Sequence, residues 1–271
     1  MLPWALERAR ALLSVRSLGG FVLYAVLFFV FIFIYKAARW WAAPEDPSIA
    51  LRNADWLISA ERNLGLFVVP TVQEFTQNSG LEPVSTWIYT GIHQPGYIGF
   101  FVVLWFVGRS VFPFAWRWFW VANGMAVLFF WLFPLAPPRL VPSLGLDDPT
   151  HTTLQLGGST TWFIESDFRN VYAAMPSLHV GYPLMFATVI FFLLGARRFA
   201  WTIWLWPLLV FWSVVASANH YVLDAVGGAL VVASSAWLVT IIWPNLERPW
   251  ARGADRETQS FRPEGRPARL E

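Results

Sequence analysis

Four histidines stand in this chain, and two of them sit where polar groups interrupt apolar sequence. His220 precedes Asp224 by four residues in Asn219-His220-Tyr221-Val222-Leu223-Asp224. That spacing puts two side chains on one helix face. A carboxylate so placed accepts a hydrogen bond from one ring nitrogen, fixes the tautomer and leaves the other nitrogen as a nucleophile. Taken alone, the pair reads equally as polar glue between helices. His179 closes Met175-Pro176-Ser177-Leu178-His179. Proline and serine there are ordinary helix-start signals. The same start turns unpaired backbone N–H groups toward an anion, with the Ser177 hydroxyl beside them and His179 placed as a general acid. Arg139, in Ala136-Pro137-Pro138-Arg139, offers a planar fork for two phosphate oxygens. Singly it reads as an interfacial arginine. Together these residues supply nucleophile, orienter, acid and anion clamp, the set phosphoryl transfer needs. The expectation is a reaction with no metal and no cofactor.

Such residues must be held by a scaffold, and composition says which kind. Of 271 residues, 56% are hydrophobic and only 13% are charged, against about a quarter charged in soluble domains. There is no cysteine, which removes disulfides, thiolate metal sites and cysteine nucleophiles together. A net charge of +2 gives nucleic acid no footprint. The apolar runs predict helices near 18–37, 86–108, 115–134, 177–196, 200–218 and 221–243. This is an all-α, polytopic membrane protein, a six-transmembrane-helix bundle. The first run is followed at once by Lys36, Arg39, Trp40 and Trp41, with no clear cleavage site, so it reads as a retained anchor rather than a signal peptide. Between helices 1 and 2 lies an amphipathic extracytoplasmic insertion. Ile49, Trp56, Leu57, Ala60 and Leu64 are expected to share its apolar face on the outer membrane surface. Residues 63–73 are too short for a span and hold Pro70, so they read as an interfacial or re-entrant piece.

With the N-terminus inside, the inner segments carry 13 Lys and Arg and the outer ones 6. That bias places both termini in the cytoplasm of a multi-pass cell-membrane protein. The organisation expected is an interfacial N-terminal segment, 1–17, a membrane domain, 18–246, and a disordered cytoplasmic tail, 247–271. The loops between helices 3 and 4 and between helices 5 and 6 then face the same, extracytoplasmic side. Parity permits Arg139, Ser177, His179, His220 and Asp224 to form one site there.

These residues resemble the type 2 phosphatidate phosphatase superfamily of lipid phosphatases and phosphotransferases. That family carries P-S-x-H at one helix start and a second motif ending in H-x-x-x-D, which stand here as Pro176–His179 and His220–Asp224. The resemblance covers roughly residues 95–243. It implies that His220 forms a phosphohistidine, that Asp224 orients it, that His179 protonates the leaving group and that Ser177 binds phosphate. The standard phosphatases have a lysine and Arg-Pro in a first motif, where this chain has only Pro-Pro-Arg139. They also have Ser-Arg ahead of the second histidine, where Ser213 and Val214 stand here. The loss of that arginine, the Ala-Pro-Pro-Arg element and the Ser-Leu-His form resemble the branch of the inositol phosphorylceramide synthases and their bacterial relatives. Arg169, His93 or Lys36 are the candidates to replace the lost charge.

The leading expectation is therefore a membrane phosphotransferase. Its partners are membrane lipids, a lipid-phosphate donor and an alcohol acceptor, with no nucleic acid. Water as acceptor makes the same site a lipid or polyprenyl phosphate phosphatase. A non-catalytic transporter or scaffold is the rival of another class. A metal-dependent CDP-alcohol transferase ranks lower, because Asp147-Asp148 falls in a Gly/Pro loop. Asp147, Asp148, His151, Glu165 and Asp167 make that loop acidic, either to read a polyol or only to solvate it.

Overall fold

Runs of Leu, Val, Phe and Trp without charge can satisfy their backbone groups in lipid by coiling into helices. Helices are what the computed structural model shows. It describes residues 18–149, 170–195 and 197–251, the side chains of 92–94 and 198 excepted. In chain order come α1 (Leu18–Trp41), α2 (Pro47–Asn63), α3 (Val69–Asn78), α4 (Glu82–Trp87), α5 (His93–Val107), α6 (Phe112–Leu132), α7 (Leu178–Leu193), α8 (Leu205–Ala216) and α9 (Val222–Ile242). A π-helical turn, Ile88–Ile92, joins α4 to α5, and a 3-10 segment, Arg198–Trp204, leads into α8. Among the described residues no strand forms; Leu135 and Ala173 make an isolated bridge.

Most helices lie close to where the apolar runs put them, and the departures have local causes. The helix expected over 86–108 starts earlier, at Glu82, with Pro83 in its first turn. It is then widened by the π turn, where a Cβ on Gly91 would stand 2.9 Å from the Trp87 ring. The helix expected over 177–196 ends at Leu193, and Gly195 follows in the left-handed region at φ 72°. Residues 63–73 do not form one piece: α3 begins at Val69, with Pro70 in its first turn.

The insertion differs most from expectation. Asp46 caps α2 by accepting the Ser48 N–H at 2.9 Å, and the Ser48 hydrogen bonds hold its carboxyl below the usual range. The buried face of α2 is Ala50, Ala54, Leu57, Ile58 and Glu61, while Ile49, Trp56 and Leu64 are exposed. Small residues decide this, because they let the α2 backbone approach the chain after α6. Asn53 Nδ2 donates to the Pro134 carbonyl at 2.8 Å, and the Ala136 N–H donates to the Ala50 carbonyl at 3.1 Å.

Among the described residues, two apolar clusters make the interior. One is aromatic and gathers Phe28, Phe101, Trp116, Phe119 and Tyr182 from α1, α5, α6 and α7. The other is built of smaller residues, including Ala54, Leu135, Val180, Val214 and Ala225, and surrounds the residues of the candidate site. The exterior is apolar too: Val26, Phe33, Phe106, Leu132, Leu208 and Leu230 are all about half-exposed or more. A continuous apolar outside needs a non-aqueous partner. Leu18–Trp41, Phe199–Ala216 and Val222–Ile242 are long and apolar enough to cross a membrane, and Pro95–Val107 and Leu178–Leu193 are shorter apolar helices.

Candidate active site

The site forms where α7 and α9 begin. Tyr221 precedes α9 in extended geometry, and Asp224, in the first turn, folds back over it. Asp224 Oδ2 accepts the Tyr221 N–H at 2.9 Å and meets His220 Nδ1 at 3.2 Å. The His220–Asp224 spacing therefore works across a helix start rather than along a helix face, since His220 lies before α9. The turn carrying His220 is tightly held. Its own N–H and that of Asn219 both donate to the Val214 carbonyl, at 3.1 and 3.0 Å. Asn219 Nδ2 donates to Ser217 Oγ at 2.9 Å. Ala218, fully buried, adopts a left-handed φ of 50°, a strained choice for a residue with a Cβ.

His220 Nε2 lies 3.3 Å from His179 Nδ1. With Nδ1–H of His220 given to Asp224, Nε2 keeps its lone pair on the side that faces His179. Sequence reasoning missed a third ring: Tyr89, from the π-helical turn, stacks on His179 at 4.6 Å between centroids and 29° between planes.

Ser177 caps α7. Its N–H donates to the Asp224 carbonyl at 2.9 Å and its carbonyl accepts from Gly181 at 3.0 Å, so the two helix starts are joined directly. Its hydroxyl is buried with no hydrogen-bond partner. A Cβ on Gly228 would collide with the Ser177 carbonyl, which explains a glycine at the α7–α9 crossing. Arg139 is tied into the same place by its backbone, donating its N–H to the Ala218 carbonyl at 3.0 Å. Its Nε donates to Asp148 Oδ2 at 3.1 Å. Neighbouring Asp147 is held by Gln73 and Gln77 of α3. The described part of the acidic loop thus makes specific contacts rather than only meeting solvent.

His179, His220, Asp224 and Ser177 thus come together, and Arg139 joins them through the turn at Ala218. Lys36 lies half-buried on α1. The His93 side chain, Arg169, His151, Glu165 and Asp167 lie outside the described residues. Glu61 was also missed. Its Oε1 accepts the Leu223 N–H of α9 at 2.7 Å. Burial pushes its carboxyl up to about 7 against the pull of that N–H, and the charge of Asp224 adds to the rise. The signal available in sequence was an acid in register with Ala50, Ala54 and Leu57. Beside His179, a cavity of about 500 Å³ runs between α5, α7 and α8, with Gly99, Phe100, Val103, Phe186 and Trp206 on its walls.

His179 and His220 both fall inside residues 55–238, which the family model of the PAP2 superfamily matches. The chain belongs to the PAP2 superfamily. Among curated proteins, an inositol phosphorylceramide synthase of Candida albicans is 29% identical over 125 residues, 40% of this chain and 25% of that protein. The matched segment therefore spans a quarter of the relative's length. No solved structure matches. PAP2 membership and this relative point to an enzyme of the lipid phosphatase or phosphotransferase type, and the apolar helices to a membrane protein.

Proposed function

We propose that the protein is an integral-membrane phosphotransferase that moves inositol phosphate or a similar phospho-polyol from a lipid-linked donor to a lipid or sugar alcohol through a phosphohistidine. The observation that carries this reading is the chain of contacts from Asp224 to His220 to His179, at 3.2 and 3.3 Å, at the edge of an apolar cavity. Asp224 holds Nδ1–H of His220. The Nε2 lone pair attacks phosphorus, a P–N bond forms, and the P–O bond to the leaving group breaks. The departing oxygen takes a proton from His179. The acceptor O–H then returns a proton to His179 as its oxygen attacks phosphorus, and the P–N electrons return to Nε2. Ser177, the start of α7 and Arg139 stabilise the phosphoryl oxygens. Arg169, His93 and Lys36 are candidates for the second cation. The cavity beside His179 suits the hydrocarbon part of the donor, as an apolar slot for a chain should.

In this reading residues 18–246 form a six-span membrane domain between an interfacial segment, 1–17, and a tail, 247–271. α2 and α3 belong to the extracytoplasmic insertion, both termini are cytoplasmic and the site faces outward. Incubating purified protein with labelled lipid-phosphate donors tests it: label appears on His220 and leaves with an alcohol. Free phosphate released without any alcohol present favours the phosphatase of the same superfamily. A His220→Ala protein with full biological activity would falsify both and leave a transporter or scaffold.

A further inference from the structure

Buried carboxylates are rare unless something holds them, or they hold something. Glu61 is fully buried near the end of α2. One of its oxygens takes the Leu223 N–H at 2.7 Å, across 162 residues of sequence, and the other is buried with no partner. Leu223 is the second residue of α9, so no carbonyl of its own helix can accept its N–H. Asp224 turns its Oδ2 to the Tyr221 N–H and His220 Nδ1 while its Oδ1 has no partner, and the Leu223 N–H goes to Glu61 instead. The start of α9 is therefore held by two acids, one from its own first turn and one from a distant helix. The second is anchored in turn, because α2 is pinned to the chain at Pro134 and Ala136, and the Tyr221 hydroxyl reaches the Ala136 carbonyl at 3.2 Å.

We propose that Glu61 is a positioning residue for the His220 nucleophile: by accepting the Leu223 N–H from α2, it fixes the turn from which His220 and Asp224 reach phosphorus. This rests on the reading of His220 as nucleophile. The groups that act on it from the α9 side are the Leu223 and Val222 N–H groups, Asp224 and Tyr221. Its carboxyl titrates near pH 7, so its ionisation falls inside the working range of an imidazole pair.

Three proteins test the role in detergent: the wild type, Glu61→Gln, which keeps an oxygen acceptor without charge, and Glu61→Leu, which has none. Labelling of His220, kcat and KM against pH, and amide exchange over 219–225 are measured for each. Glu61→Leu is expected to label about 10²-fold more slowly, with KM little changed and faster exchange over 219–225. Glu61→Gln is expected to keep wild-type exchange and turnover but to lose an inflection near pH 7 in kcat. Wild-type protein that labels while Glu61→Leu labels at the same rate overturns the role of Glu61 alone. A wild type that never labels overturns the nucleophile on which it rests.

Discussion

At the scale of single residues, the two ring nitrogens of His220 meet distinct partners, Asp224 and His179, and that gives distinct losses. Removing the His179 imidazole leaves His220 and Asp224 in place, so His179→Ala should slow transfer by about 10²–10⁴-fold. The loss should shrink with a donor whose leaving group is acidic enough to depart unprotonated, measured by single-turnover release. Glu61 makes a prediction about stability. Its folded carboxyl titrates at about 7, above the usual range, so the native state holds its proton more tightly than the unfolded chain. The stabilisation is fully present below the unfolded value and is lost as pH rises through about 7. Melting curves of wild type and Glu61→Gln should therefore diverge between about pH 4.5 and 7, with the variant gaining relative to wild type. A parallel pair of curves would remove the titration. Tyr89 and Glu61 were not legible because neither lies near His179 or His220 in sequence; helix packing alone brings them in.

At the scale of elements, the α7–α9 crossing sets the distance between the two histidines. Gly228→Ala places a methyl group against the Ser177 carbonyl and should cost about 1–3 kcal/mol by overpacking, while parting the rings. Loss of His220 labelling in a variant that still purifies folded is the outcome expected. Ser177→Ala differs in kind. It deletes a buried hydroxyl that has no partner, so stability should hold or rise slightly, while KM for the phosphate donor rises. A variant with unchanged KM would take Ser177 out of the phosphate seat. The helix starts themselves were readable, since Pro176-Ser177 and the residues around Asp224 are local signals. Which face of α2 turns inward was not. Apolar side chains at Trp56 and Ile49 outweigh alanines in any pattern reading, yet Ala50 and Ala54 permit the close approach to Pro134 and Ala136.

For the whole molecule, the apolar exterior and the cavity beside His179 belong to one surface chemistry. Gly99 lines that cavity, and a Cβ added there meets nothing within 4 Å. Gly99→Leu should fold normally and fill the space that the proposed function gives to a hydrocarbon chain. KM should rise for long-chain donors and stay unchanged for short, soluble phosphate esters. An equal effect on both would place the chain elsewhere. Composition made the membrane bundle legible at once, because 13% charge cannot cover a soluble domain. The cavity was not legible, since it arises from the joint packing of three helices and of small residues such as Gly99.

One contact described above bears on how the site responds to salt. Arg139 already gives its Nε to the Asp148 carboxylate. A phosphate that engages this guanidinium arrives as a replacement, one anion yielding to another, rather than as the first neutraliser of a naked cation. Local charge changes little in such an exchange. Ionic strength should therefore weigh lightly on donor affinity, and Asp148→Asn should make that dependence steeper.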